Sequence, residues 1–397
     1  MRILLYTHEF PPFAGGAGVY TAGLAKGLSE LGHEVTVVAP AYEEAIAQWD
    51  AQQPYTVDRM LLPGGRLTVL AGSIGLIRAW LHLRPDMTFV TDVGAQLAAS
   101  LASLVFPFHA PYCITVHGSE IEWHFGIGRR KRPQALLMPV VRRFFARSLA
   151  IVCVSRATQE ALLYKLPALG ERVAVVHNGI DLDAFPPVTE EEVGRLRNRI
   201  DAPGPVLLTV ARLIPEKGID NVLKALSRIA PDMPDLRYVI VGAGPDLNRL
   251  KALVIDSSLE GNVVFAGKVS QRELSAYYAL CNIFIMPSRP SDRFEGFGLV
   301  YAEAGAYGKP VIAGRTGGVP EVVQDGHNGI LVDPMDVDGL ERAIRSLLSN
   351  PGLARSMGCN GRRQVVERFN ILKMAESTLQ VVYGREGRPK HGGGPWA

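Results

Sequence analysis

Two glutamates, Glu295 and Glu303, bracket the segment in which the sequence concentrates its chemistry: Glu295-Gly296-Phe297-Gly298-Leu299-Val300-Tyr301-Ala302-Glu303. The segment follows the apolar run Ile283–Met286, which predicts a buried strand, and the pattern after it predicts a helix over 298–307 that begins near Phe297 or Gly298. A helix N-terminus presents unpaired N–H groups and a partial positive charge, which suits a phosphate. Gly296 and Gly298 carry no side chain to keep a ligand off that backbone. Glu295, in the loop before the helix, can accept hydrogen bonds from hydroxyls. Glu303 stands about one turn inside the helix on a mostly apolar surface. A carboxylate there needs a donor, and the adjacent hydroxyls of a ribose offer two. One short segment can therefore hold a sugar, a diphosphate and a ribose in sequence. The plainer alternative is a solvated loop charge and an exposed helix residue; the glycines at the helix start and the buried strand before them count against it.

A second strand-to-helix passage, Leu208-Thr209-Val210-Ala211-Arg212-Leu213-Ile214-Pro215-Glu216-Lys217-Gly218, puts Arg212 and Lys217 at a strand's carboxyl end, the edge where open α/β sheets bind ligands. Two cations there would balance a diphosphate and stabilise it as it leaves; otherwise they are surface cations with Glu216 as a partner. Gly15-Gly16, in the glycine-rich loop 13–18 after the first strand, presents N–H groups able to contact the same diphosphate, or forms a tight turn that packs the next helix. His117 ends the apolar strand Tyr112–Val116 beside Gly118, a place for either a structural or a catalytic histidine. Val241-Gly242-Ala243-Gly244-Pro245-Asp246 also follows a strand, but Leu247 stands where a dinucleotide fingerprint needs its third glycine, leaving a tight turn at the cleft edge near a nucleotide.

The elements that must position these residues form two similar halves. Strands are predicted at 3–6, 35–39, 67–70, 87–90, 112–116, 151–154 and 173–176, then at 206–210, 238–241, 263–265, 283–286, 311–312 and 330–332, with helices between most of them. Near-continuous apolar strands alternating with helices predict parallel sheets covered on both faces. The expected fold class is α/β: two Rossmann-like, doubly wound parallel-sheet domains facing across a cleft. We place an N-terminal, acceptor-side domain at 1–182, with a C-terminal helix at 371–384 as its completion, and a donor-side domain at 183–370. The Pro- and Glu-rich stretch 181–204 is the expected linker, and 385–397, with its run of Gly and Pro, an expected disordered tail.

Composition excludes several classes. Hydrophobic residues make up 47% and charged residues 20% of 397 positions, a globular balance with ample core. A net charge of +3 is too small to imply a polyanionic partner, so no nucleic acid is expected. Cys113, Cys153, Cys281 and Cys359 show no C-x-x-C spacing, and the first two sit in apolar runs as buried free thiols. Asp181-Leu182-Asp183 and Asp336-Val337-Asp338 match D-x-D but lie in connectors without further ligands, so no metal is assigned. Residues 93–119 contain no Asp, Glu, Lys or Arg, yet Pro107, His109 and Pro111 divide them into a buried helix, a turn and a buried strand rather than a membrane span. The amino terminus does not read as an export signal; we expect a cytoplasmic, soluble or peripheral protein. The stretch 128–148 is basic and amphipathic, beginning Gly128-Arg129-Arg130-Lys131-Arg132: either a core-packed helix with a solvated basic edge, or a contact for anionic lipid or an acidic acceptor.

Together these motifs resemble retaining glycosyltransferase family 4, the two-Rossmann GT-B type, whose members of this look include bacterial mannosyltransferases acting on lipid or glycan acceptors. The likeness runs through Phe10-Pro11-Pro12, Gly15-Gly16, Gly32-His33-Glu34-Val35, Val116-His117-Gly118, Asn178-Gly179-Ile180-Asp181, Arg212 with Lys217, Gly242-Ala243-Gly244 and 295–303. It implies that Arg212, Lys217 and Gly16 contact the donor diphosphate, that Glu295 holds donor-sugar hydroxyls, and that the backbone of Phe297, Gly298 and Leu299 touches sugar and phosphate. Glu303 would bind the ribose and His117 would lie against the donor sugar near the reaction centre. It further implies same-face attack aided by the departing phosphate, with no resident cofactor and no metal required. The segment 289–293 is longer than in many members and would shape donor or acceptor choice. The donor that the resemblance favours is GDP-mannose, with UDP-glucose close behind. Alternatives on the same architecture are a sugar-nucleotide epimerase, which lacks an acceptor; a phosphorylase, for which no pyridoxal-phosphate lysine context is evident; and a sugar-binding protein, which the Arg212/Lys217 pair and the missing export signal disfavour.

Overall fold

The computed structural model describes residues 1–12, 15–41, 46–65, 67–126, 137–290 and 295–386. The chain divides into two units, one of residues 1–179 and 371–397 and the other of 180–370. Seven strands form the sheet of the first: β1 (Arg2–Tyr6), β2 (Glu34–Pro40), β3 (Thr56–Met60), β4 (Met87–Val90), β5 (Tyr112–Val116), β6 (Ala150–Cys153) and β7 (Val173–Val175), in the order β3-β2-β1-β4-β5-β6-β7. Six form the sheet of the second: β8 (Val206–Val210), β9 (Arg237–Val241), β10 (Val263–Gly267), β11 (Ile283–Met286), β12 (Val311–Gly314) and β13 (Gly329–Val332), in the order β10-β9-β8-β11-β12-β13. All pairings are parallel. The strand order reverses between β1 and β4 and again between β8 and β11. At such switch points the connecting segments diverge to opposite faces and leave a crevice at the carboxyl ends.

The central strands are buried on both faces, as near-continuous apolar runs require: every residue of β4, β5, β6 and β11 is buried. The expected strand at 67–70 is instead the first turn of helix Leu67–Leu83. Four apolar residues in a row carry no period that separates strand from helix. The strand that was missed, β3, lies at the sheet edge and is nowhere buried. Its Asp58 and Arg59 interrupt the apolar pattern, and Arg59 pairs with Asp50 at 2.6 Å. The segment expected as a linker, 181–204, belongs to the second unit: helix Glu190–Arg199 starts with a capping box between Thr189 and Glu192, buries Leu196, and is tied by Glu192 to Arg272 at 2.6 Å. The chain crosses between units at Gly179–Ile180 and returns at Asn370–Ile371.

The returning helix, Ile371–Glu386, completes the first unit's core, where Met374, Ala375 and Val382 join Leu24, Leu28 and Val37. It runs further than expected: Arg385 and Glu386 are helical, and the Arg385 guanidinium donates to the carbonyls of Glu171 and Val173. The rest of the expected disordered tail, 387–397, lies outside the described residues. Helices Gly16–Glu30 and Ile371–Glu386 approach so closely that a Cβ on Gly27 would sit 2.6 Å from the carbonyl oxygen of Ile371. Gly27→Ala is therefore expected to destabilise the protein by about 1–3 kcal/mol through overpacking, whereas Gly170→Ala, where a Cβ meets nothing within 4 Å, stays near wild type; chemical denaturation of the pair checks the contrast.

Candidate functional site

The carboxyl ends of β8 and β11, the switch point of the second unit, carry the polar residues singled out in the sequence. After β8, Pro215–Lys217 forms a short 3-10 turn, and Lys217 Nζ donates to Glu295 Oε2 at 2.5 Å. Ser288, just past β11, sends its hydroxyl to the same carboxylate oxygen at 3.4 Å. Both members of the ion pair are largely shielded, at 21% and 17% side-chain exposure, so each is held mainly by the other. Arg212 is exposed in the same loop and makes no ion pair among the described residues. The loop after β9 lies directly on this one. Leu213 N–H donates to the Ala243 carbonyl at 3.0 Å, Asp246 N–H to the Leu213 carbonyl at 3.1 Å. A Cβ on Gly242 would overlap the carbonyl of Ala211, and one on Gly244 that of Leu213. These glycines thus support the Arg212 loop by letting two backbones meet.

A second ion-pair cluster fastens the loops. Arg289 donates through Nη2 to Asp220 Oδ1 at 2.6 Å and through its backbone N–H to the Glu216 carbonyl at 2.8 Å. Asp220 also faces Arg249 at 3.5 Å, and Arg249 pairs with Asp246 at 2.6 Å. The segments after β8, β9 and β11 are thereby one mechanical body. In the segment 289–293, expected to shape donor or acceptor choice, Arg289 makes this clamping contact, while Ser291, Asp292 and Arg293 lie outside the described residues.

Helix Leu299–Ala306 follows, entered through Gly298 at φ 87°, a left-handed conformation that glycine adopts without strain. Gly296, Phe297 and Gly298 are buried, and the Phe297 ring packs edge-on against Phe369 at 5.4 Å, so any ligand contact here falls to backbone, with Leu299 as the first helical residue. Glu303 accepts a hydrogen bond from Tyr278 Oη at 2.7 Å, and Tyr278 stacks on Tyr307 with ring centroids 5.7 Å apart. Burial pushes the Glu303 carboxyl up, only partly offset by the Tyr278 hydrogen bond. Its second oxygen has no hydrogen bond among the described residues.

In the first unit the carboxyl ends of β1, β4 and β5 build a separate polar layer. Asp92 caps helix Val93–Ala102 through the N–H groups of Gly94 and Ala95, and accepts from Thr7 Oγ1 at 2.7 Å and the His8 N–H at 2.5 Å. His117 Nε2 lies 2.9 Å from the Thr91 carbonyl oxygen. That oxygen can only accept, so Nε2 carries the proton. Burial pulls the imidazole pKa down, which keeps it neutral and leaves Nδ1 as an acceptor. The ring rests edge-on against Tyr20 at 4.8 Å. Glu120 accepts the His117 backbone N–H at 3.0 Å. Gly16, exposed and with open space around its Cα, is the first residue of helix Gly16–Glu30; Phe13 and Ala14 lie outside the described residues.

The structure therefore joins Lys217 to Glu295, sets Arg212, Gly242 and Gly244 in the adjoining loops, continues through Gly296–Leu299 to Glu303, and places Gly16 and His117 in the other unit. Sequence reading missed Tyr278, Ser288, Asp220 and Glu120. Of these only Glu120 had a local signal, an acid three residues after His117 in the manner of a capping box. The two D-x-D motifs do helix-capping work: Asp181 caps the turn Leu182–Ala184, and Asp336 accepts the Gly339 N–H at the start of Val337–Ser349. Helix Met138–Arg147 buries Val141, Phe144 and Phe145 and exposes Arg142, Arg143 and Arg147; the basic run 128–132 lies outside the described residues.

Two family models match: Glycosyltransferase Family 4 over residues 14–184, and Glycosyl transferases group 1 over 192–364. The chain is 30% identical to the GDP-mannose-dependent alpha-(1-6)-phosphatidylinositol monomannoside mannosyltransferase of Mycolicibacterium smegmatis, over 96% of this chain and 98% of that protein. It is also 30% identical to a glycogen synthase of Mycobacterium tuberculosis, over 96% and 94% of the two chains. Anabaena HepE, solved in complex with UDP-glucose, shares the fold with a TM-score of 0.79 at 21% identity, over 97% of this chain and 100% of that one.

Burial raises the Glu120 carboxyl from its ordinary 4.5 to about 7. The folded protein then keeps a proton that an unfolded chain releases near 4.5, so this group's stabilising contribution is complete below that pH and is lost as pH rises through about 7. Glu120→Gln is expected to remove a decline on the order of 3 kcal/mol between pH 5 and 8, read by denaturation at the two pH values. An unchanged slope would discard the assignment.

Proposed function

The chain belongs to glycosyltransferase family 4, and on that premise we propose that it moves a hexose, mannose first among candidates, from a nucleoside diphosphate sugar to a lipid or glycan acceptor with retention of configuration. It is a glycosyltransferase of the sugar-nucleotide-dependent, mannosyltransferase-like kind. Relatives that transfer sugars speak against the epimerase and sugar-binding readings.

The observation that carries the proposal is the Lys217–Glu295 pair at the β8/β11 switch point. A phosphate and a hydroxyl together can replace each member's partner: Lys217 and exposed Arg212 take the diphosphate, and Glu295 accepts from sugar hydroxyls. Glu303, with one oxygen already bonded by Tyr278, offers the other to a ribose hydroxyl. As the glycosidic bond breaks, negative charge gathers on the departing diphosphate, where the two cations stabilise it. The departing phosphate then takes the acceptor proton on the same face. Two fixed cations supply the charge that a metal would, so the reaction is read as metal-independent, with no resident cofactor. Neutral His117, with Nδ1 as acceptor, is suited to a hydroxyl hydrogen bond in the first unit.

Two features support a lipid acceptor and peripheral membrane contact. The M. smegmatis relative is named for a phosphatidylinositol mannoside acceptor. Helix Leu67–Leu83 exposes Leu67, Leu70, Ile74 and Leu81, a one-sided apolar stripe. Among the described residues no helix is long and apolar enough to cross a membrane.

Thermal shift with GDP, UDP and ADP is expected to give the largest stabilisation with GDP. Glu295→Ala is expected to lower transfer from GDP-mannose by roughly two to three orders of magnitude while the protein stays folded. Full activity in that variant would sink the assignment, as would absence of nucleoside diphosphate release with any sugar nucleotide tried.

A further inference from the structure

At the amino edge of the first unit's sheet, the edge away from His117, the segment between helix Val93–Ala102 and β5 borders a cavity of about 230 Å³. Its wall is apolar. Leu104, Val105, Phe106 and Phe108 line it, with the Phe106 and Phe108 rings 5.6 Å apart and both set against Trp80. Leu104 and Val105 are 54% and 80% exposed, so the cavity's surroundings are apolar too. The neutral polar side chains of the lining are already engaged: Tyr112 Oη donates to the Phe144 carbonyl at 2.7 Å, and Ser103 Oγ to the Ser100 carbonyl at 2.6 Å. What remains is positive charge. Arg143 and Arg147, one helical turn apart on Met138–Arg147, border the same cavity, are exposed, and make no ion pair among the described residues.

We propose that this cavity binds an anionic amphiphile, its alkyl chain against Leu104, Val105 and the Phe106–Phe108 wall and its phosphate or carboxylate held by Arg143 and Arg147. Each half of such a ligand answers one half of the site. An alkyl chain removes water from the apolar wall. An anion at its end meets two guanidinium groups, the side chains best shaped for bidentate contact with phosphate or carboxylate. A neutral alkyl chain leaves the arginines with no gain, and free inorganic phosphate leaves the apolar wall in water. Within the first unit the site lies at the opposite sheet edge from Gly16 and His117, so it is a second ligand site there.

Monomeric decyl phosphate, titrated calorimetrically into the full chain without nucleotide, tests this independently of any transfer activity. Saturable binding is expected, weakened roughly tenfold or more by Arg143→Ala/Arg147→Ala and comparably by Val105→Asp, with inorganic phosphate and decanol each binding far more weakly. Cosedimentation with phosphatidylcholine vesicles, with and without phosphatidic acid, separates the sources. Arginine-dependent capture by the acidic vesicles assigns the ligand to a bilayer; monomer binding without capture assigns it to a free amphiphile. Binding undiminished in the double variant, or no saturable binding by the wild-type chain, overturns the proposal.

Discussion

A site that must take up both a diphosphate and sugar hydroxyls needs a cation and a carboxylate within reach of one ligand, and in the absence of that ligand those two charges must satisfy one another. The Lys217–Glu295 pair has that composition, and on the proposed function it would serve that purpose. At this degree of shielding, leaving either charge without its partner carries a desolvation penalty. On the proposed function the pair is a placeholder, to be exchanged when a phosphate and a hydroxyl offer equivalent contacts. An exchange of this kind works only if the two side chains stay in register. They stand on segments that follow different strands, so the register depends on whatever ties those segments together. Here that is the Arg289–Asp220–Arg249–Asp246 chain, with the Arg289 backbone on Glu216, the residue before Lys217.

The first unit solves a related problem with neutral groups. His117 could take a proton in an open site, but its Nε2–H is committed to the Thr91 carbonyl and burial opposes the charged form. It is thereby a hydrogen-bond acceptor rather than a cation. Glu120 fixes the His117 backbone in turn, itself buried enough that protonation competes with ionisation near neutrality. Tyr20 closes one side of the imidazole. The outcome is a polar group of defined tautomer and direction, which suits a hydroxyl better than a phosphate.

How much of this was legible depended on whether the cause was local. Strands such as Ile283–Met286 and Met87–Val90 were readable because central strands must be apolar on both faces, and that demand is written in consecutive residues. β3 was not, because an edge strand carries charge, and its Arg59 meets Asp50 and the carbonyls of Pro40 and Pro11 only once the fold has brought them together. The spacing of Glu295, Gly298 and Glu303 was readable as a helix start flanked by acids. Tyr278, which holds Glu303, comes from a preceding helix 25 residues away and has no sequence signal of its own. Gly242 and Gly244 were read as a failed nucleotide fingerprint near the site; their geometry concerns the backbone of Ala211 and Leu213, a contact made between strands rather than along the chain.

The same physical reasoning locates where donor choice is made. A diphosphate and a ribose are common to GDP-mannose and UDP-glucose, so on the proposed function Arg212, Lys217 and Glu303 would bind either donor alike. Uniform contacts of this sort contribute affinity without discrimination. The sugars differ in the direction of a hydroxyl, and a carboxylate that accepts from hydroxyls registers direction. On the proposed function Glu295 would do this, since Lys217 and Ser288 both bond to Oε2 and leave Oε1 as the less occupied oxygen. A hydroxyl turned away leaves that oxygen unpaired in a shielded site, at a cost of roughly 1–3 kcal/mol, equivalent to about one to two orders of magnitude in preference. On the proposed function, the residue that would hold the sugar would thus also tell one hexose from another, whereas the base would be chosen by contacts beyond the diphosphate and ribose.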